Sequence, residues 1–156
     1  MKNDYRKALG ESEVIAFVPG GNSMWPFIKG GKQSVIVTRK KDRLSLFDVA
    51  LFERKDGSAV LHRVVEVLPD GYVMQGDSQD YVETVSEGDV LGVLQGFYRG
   101  KKYVDVTESG YLIKVAKWYR RKKRRKIKLW FFRLKLRIKN KLKRIFAKKE
   151  KTDELS

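Results

Sequence analysis

Ser23 lies in Gly20-Gly21-Asn22-Ser23-Met24-Trp25-Pro26, a hydroxyl between a glycine pair and a Met-x-Pro turn. It follows the apolar run Val14 to Val18 and a Pro-Gly-Gly break, the pattern of a strand that ends in a sharp turn. A serine so placed stands at the rim of a sheet. Glycines there let the main chain approach a ligand closely, and N–H groups around the turn can point at a developing oxyanion. The plainer alternative is a loop serine closing a local turn hydrogen bond. A serine hydroxyl is a poor nucleophile at neutral pH and needs a base beside it, and the chain has one histidine. His62 falls in Ala59 to Val67, a poorly alternating run that reads as a largely buried strand. With an ordinary pKa of about 6.5, its neutral imidazole is available as a general base, although a lone histidine on a strand also serves as a satisfied core residue.

A third group has to hold the imidazole in the correct tautomer. Asp77, in Met74-Gln75-Gly76-Asp77-Ser78, follows the short strand Tyr72 to Gln75 and is the candidate, with a turn-forming aspartate as the alternative. Arg63 is the candidate to orient Asp77 or to contact a substrate carbonyl; at a strand end it would equally make a surface ion pair.

The order of these motifs resembles the clan of serine peptidases that contains type I signal peptidases and the self-cleaving LexA-type repressors. Its nucleophile lies in Gly-x-Ser-Met-x-Pro, here Gly21 to Pro26. Further landmarks follow in order: Gly30-Gly31, the strand-like Ser34 to Arg39, Asp48 to Phe52, Leu61-His62-Arg63-Val64-Val65, Gly76-Asp77, Glu83 and Val90 to Val93. The resemblance covers residues 10–100. It is nearest to small soluble members found beside peptide-modification genes and to the endoplasmic-reticulum type of signal peptidase, where histidine replaces the lysine base. It implies a Ser23 and His62 dyad, with Asp80 as rival to Asp77, because histidine-type members carry a second important acid a few residues on. Lysine-type members often place a hydroxyl residue two positions before the nucleophile, where this chain has Gly21. Oxyanion and substrate contacts then fall to Asn22, Ser23, Met24 and Arg63, largely through main-chain N–H groups. Two Gly-Asp landmarks are altered, to Gly31-Lys32 and Phe47-Asp48.

The activity implied is that of a serine endopeptidase cutting an extended leader or signal-like peptide, such as the leader of a ribosomally made modified peptide. A LexA-type repressor is not expected, since 22 residues precede Ser23 and neither Ala-Gly nor Cys-Gly occurs. A non-catalytic peptide-binding or membrane-tethering module on the same fold is the alternative.

Composition narrows the chemistry. The 156 residues suffice for one domain with an appendage. With no cysteine there is no disulfide framework and no thiolate nucleophile, and one histidine among scattered acids makes a zinc hydrolase improbable. No metal and no cofactor is expected. The N-terminus lacks the apolar core of a signal peptide, and no stretch reaches the roughly 18 apolar residues of a spanning helix. A cytoplasmic protein is expected, held if at all to the inner face of a membrane.

Charge is distributed unevenly. Residues 1–110 carry 15 Lys and Arg against 16 Asp and Glu, whereas residues 111–156 carry 20 against 3. The boundary near Gly110 defines a peptidase-like β domain, 1–110, and a basic tail, 111–156. In the tail Ile127, Trp130, Phe131, Leu134, Ile138, Leu142 and Ile145 recur at helical spacing, giving an amphipathic helix with Lys and Arg around the rest. Leu134 to Ile138 also alternates as a strand would. Three roles are open for such a helix. It can lie on an anionic membrane, bind nucleic acid, or dock on its own domain with a solvated basic face. Nucleic acid is the least favoured of these partners.

The fold expected is mainly β, a coiled or barrel-like antiparallel sheet of the signal peptidase and LexA type. Its strands would be Val14 to Val18, Val35 to Arg39, Val49 to Glu53, Ala59 to Val67, Tyr72 to Gln75, Val90 to Tyr98 and Lys102 to Asp105. Lys2 to Leu9 reads as a short entering helix.

Overall fold

The computed structural model describes residues 4–124. A short helix, α1 (Tyr5–Glu11), is followed by eight strands: β1 (Val14–Phe17), β2 (Val35–Arg39), β3 (Val49–Glu53), β4 (Ala59–Leu68), β5 (Gly71–Gln75), β6 (Glu83–Ser86), β7 (Val90–Arg99) and β8 (Lys102–Asp105). All pairings are antiparallel, in the order β1-β2-β7-β3-β4-β5-β6, with β8 alongside β7. The sheet is open, with β1 and β6 at the ends of its path, so the barrel-like closure expected from the sequence does not occur. Bulges in the β2–β7, β3–β7 and β4–β5 pairings bend it without joining its edges.

Strand β3, Val-Ala-Leu-Phe-Glu, is buried on both faces except at Glu53. Its unbroken apolar run fits a strand covered on both sides. Around it, Ala50, Phe52, Val64, Tyr72, Met74, Val85 and Val90 pack with Leu44 into one core cluster. The register then places the site. His62 on β4 is opposite Ala50 on β3, Val64 is opposite Met74 on β5, and Met74 is opposite Glu83 on β6.

Helix α1 begins at Tyr5, later than expected, because Asp4 is its N-cap and accepts a hydrogen bond from Lys7 N at 2.9 Å. Strand β6 was not anticipated. Only Val85 of its four residues is buried, so it lacks an alternating apolar signature.

The chain divides into two units, Met1–Ile113 and Lys114–Ser156. Residues 109–113 are helical in the first, and residues 114–124 are helical in the second. Among the described residues no helix is long and apolar enough to cross a membrane. The expected membrane or partner face, Ile127, Trp130, Phe131, Leu134, Ile138, Leu142 and Ile145, lies outside the described residues.

Candidate functional site

Ser23 is carried by the connection between β1 and β2, which folds tightly on itself. Gly31 N donates to Pro19 O at 2.8 Å, and Gly30 lies so close to Gly21 that a Cβ on it would stand 1.6 Å from Gly21 O. Gly21 and Gly31 have φ of 69° and 70°, left-handed values that favour glycine. Within the loop Trp25 N donates to Asn22 O at 3.1 Å and Ile28 N to Met24 O at 2.9 Å, while the N–H groups of Ser23 and Met24 donate to no protein acceptor among the described residues. Met24 and Ile28 are buried beneath the turn, Asn22 is exposed, and Ser23 is partly exposed.

The segment after β5 holds this loop from the other side. Ser78 N donates to Ser23 O at 2.9 Å, and Ser78 Oγ reaches Asn22 O at 2.9 Å and Ser23 O at 3.1 Å. Gly76 permits that approach, since a Cβ there would lie 2.9 Å from Ser23 O.

Ser23 and His62 line the same cavity, of about 260 Å³. Tyr5 and Phe17, with ring centroids 4.7 Å apart, form part of its wall, and Met24, Ile28, Leu51 and Leu61 add apolar surface. Gln79, Tyr81 and Arg54 add polar groups.

His62 is 1% exposed, and its Nδ1 lies 3.1 Å from Glu83 Oε1. The contact has the distance of an ion pair without the alignment of a hydrogen bond. Burial holds the imidazole below its ordinary range, with Glu83 opposing and Arg54 reinforcing that shift. The ring is therefore neutral at pH 7, the form a general base requires. Glu83 is itself gripped by Arg54, Nε to Oε2 and Nη2 to Oε1, both at 2.6 Å. Those bonds hold the Glu83 carboxyl below the ordinary carboxylate range.

The carboxylate at His62 Nδ1 thus belongs to Glu83, and Asp77, the expected acid, acts on the ring through its charge. Asp77 is fully buried and engages Arg63, with Oδ1 accepting from Nε and Oδ2 from Nη2, each at 2.8 Å. Asp80 lies on the exposed turn between β5 and β6. Arg63, expected to orient Asp77 or touch substrate, is paired with Asp77. It is 0% exposed, donates also to Phe47 O at 2.9 Å and Tyr111 Oη at 3.0 Å, and stacks on the rings of Phe27 and Tyr111. Burial alone would favour loss of its proton, but the Asp77 carboxylate and the Tyr111 oxygen more than offset this and raise its pKa. The pair braces the nucleophile loop from below, through Phe27 on one side and the Asp77-Ser78 turn on the other.

Phe47, at one altered Gly-Asp landmark, has φ of 75°, the one non-glycine residue in the left-handed region among those described. A left-handed residue other than glycine costs about 1–2 kcal/mol. Among the described residues no group of three or more His, Cys, Asp or Glu could hold a metal ion.

No family model matches the chain, and no curated protein matches it.

Proposed function

We propose that the chain is a serine endopeptidase that cuts an extended peptide with Ser23 as nucleophile and His62 as base. The observation that carries this is a shared cavity: Ser23 and His62 line one cleft, and a carboxylate stands 3.1 Å behind the imidazole on Glu83. With Nδ1 turned to Glu83, Nε2 is the ring nitrogen left for proton transfer. In this scheme Ser23 Oγ attacks the scissile carbonyl as Nε2 takes its proton. The Ser23 and Met24 N–H groups hold the oxyanion, and the amine leaves with the proton from Nε2. Water, deprotonated by the same nitrogen, then hydrolyses the acyl-serine.

The substrate fits as a strand. The free edge of β1 runs toward the nucleophile loop, and an extended peptide added there would bring its backbone to Ser23. Val18, Trp25, Tyr81 and Val82 are about half exposed, apolar surface suited to such a segment. The resemblance to signal peptidases supports a leader or signal-like peptide with small side chains at the cut. In residues 114–124 the helix carries Lys114, Lys117 and Arg120 to Arg124 with no acid. That charge supports a tail resting on an anionic membrane, at about 1 kcal/mol per basic residue near the surface, at the cytoplasmic face.

Ser23→Ala and His62→Ala, made separately, should each abolish peptide cleavage and labelling by a serine-directed fluorophosphonate. Cleavage retained by Ser23→Ala overturns the mechanism. Peptide binding without turnover in the unaltered protein would instead identify a binding module. Co-sedimentation with phosphatidylserine vesicles, compared with a chain ending at Ile113 so that Tyr111 stays on Arg63, tests the tail.

A further inference from the structure

One basic side chain at the cavity takes no part in the steps above. Arg54 sits in the turn joining β3 to β4, where its N–H donates to Ser58 O at 2.9 Å and its carbonyl accepts from Gly57 N at 2.8 Å. Asp56 Oδ1 accepts from Ser58 N at 2.8 Å, and Gly57 has φ of 73°, so the turn has little freedom. From this base the Arg54 guanidinium meets Glu83 as a two-pronged fork at 2.6 Å on each oxygen. One of those oxygens, Oε1, is the atom facing His62 Nδ1.

We propose that Arg54 is a positioning residue for the imidazole: its fork fixes the Glu83 carboxylate against His62, and its charge, one carboxylate away, opposes protonation of the ring. This rests on the assignment of Ser23 and His62 as the reacting pair. Two separable effects follow. The fork is geometric, because an unrestrained glutamate on an edge strand rotates about three side-chain torsions. The charge is electrostatic, and it works against the two acids that favour imidazolium, Glu83 from β6 and Asp77 from the turn after β5. Asp77 pairs with Arg63 while its charge still acts on the ring, so Arg54, Glu83 and Asp77 are the charged groups that tune it. Phe52, with its ring centroid 5.9 Å from that of His62, supplies an uncharged wall.

Because His62 is the sole histidine, its ring protons report the site directly by NMR, without any substrate. In the full chain, Arg54→Gln should move the His62 titration midpoint to higher pH. It should also lower kcat/KM at pH 6 at least about threefold more than at pH 8, since each unit of midpoint shift changes the neutral fraction about tenfold below it. Arg54→Lys keeps the charge and loses the fork. It should leave the midpoint close to that of the unaltered protein while kcat falls about tenfold. An unchanged midpoint in folded Arg54→Gln overturns the proposal, as does an equal loss of activity at both pH values. If Arg54→Gln does not fold, full kcat in Arg54→Lys overturns it. A protein that cleaves no peptide yet shows the midpoint shift would sink the peptidase assignment and keep the Arg54 relationship.

Discussion

Glu83 Oε1 stands 3.1 Å from His62 Nδ1, and the same oxygen accepts from Arg54 Nη2 at 2.6 Å. The acid beside the histidine therefore comes from the edge strand β6, six residues beyond the buried Asp77. Glu83 faces His62 Nδ1 and Asp77 pairs with Arg63, and the two acids can be told apart by mutation.

Glu83→Gln keeps the shape of the side chain and removes the charge behind the imidazole. Peptide hydrolysis should lose roughly two to four orders of magnitude in kcat, with urea stability changed by no more than about 1 kcal/mol. Wild-type kcat in this variant would remove Glu83 from the mechanism.

Asp77→Ala should behave in the opposite sense. It strands the fully buried Arg63 guanidinium, so urea unfolding should show a loss of about 3–5 kcal/mol. A loss under about 1 kcal/mol would mean that the Arg63 network does not brace the fold.

Burial sets the sign of the pH dependence. The His62 imidazole is held below its ordinary 6.5, so the unfolded chain binds that proton more readily than the folded one. The stability gained from keeping the ring neutral is complete above 6.5 and is lost as pH falls toward the lower folded value. The rate follows the same neutral form. A profile of kcat/KM against pH should rise along an acidic limb with its midpoint below 6.5 and then level off; a midpoint above 6.5 contradicts the neutral, buried base.

Gly30→Ala should disable the nucleophile loop. Its Cβ would lie 1.6 Å from Gly21 O, a backbone atom that can yield only by moving the segment carrying Ser23. Fluorophosphonate labelling should fall more than about tenfold, and labelling at the unaltered rate would show that the loop tolerates a wider crossing.

Local pattern made much of this protein legible. Apolar runs ending at glycine, proline or aspartate marked seven of the eight strands, because burial of one or both faces leaves its imprint on consecutive residues. The same punctuation singled out Ser23, and a count of one singled out His62. Strand β6 is not legible in the sequence, because an edge strand with one buried residue carries almost no imprint. Closure is not legible there either, because whether β1 meets β6 depends on the summed twist and bulges of all the strands between them, which no single segment encodes.

The sequence by itself determined the strand segments, the tight glycine loop around Ser23, the sole histidine and the basic tail, since each is a property of neighbouring residues or of composition. Only the tertiary structure decided which acid meets which base. Asp77 and Glu83 are six positions apart and chemically alike. The registers of β4, β5 and β6 send Asp77 beneath the nucleophile loop to Arg63, and bring Glu83 beside His62 and Arg54. Partner choice of that kind is set by distances across strands, and spacing along the chain does not contain it.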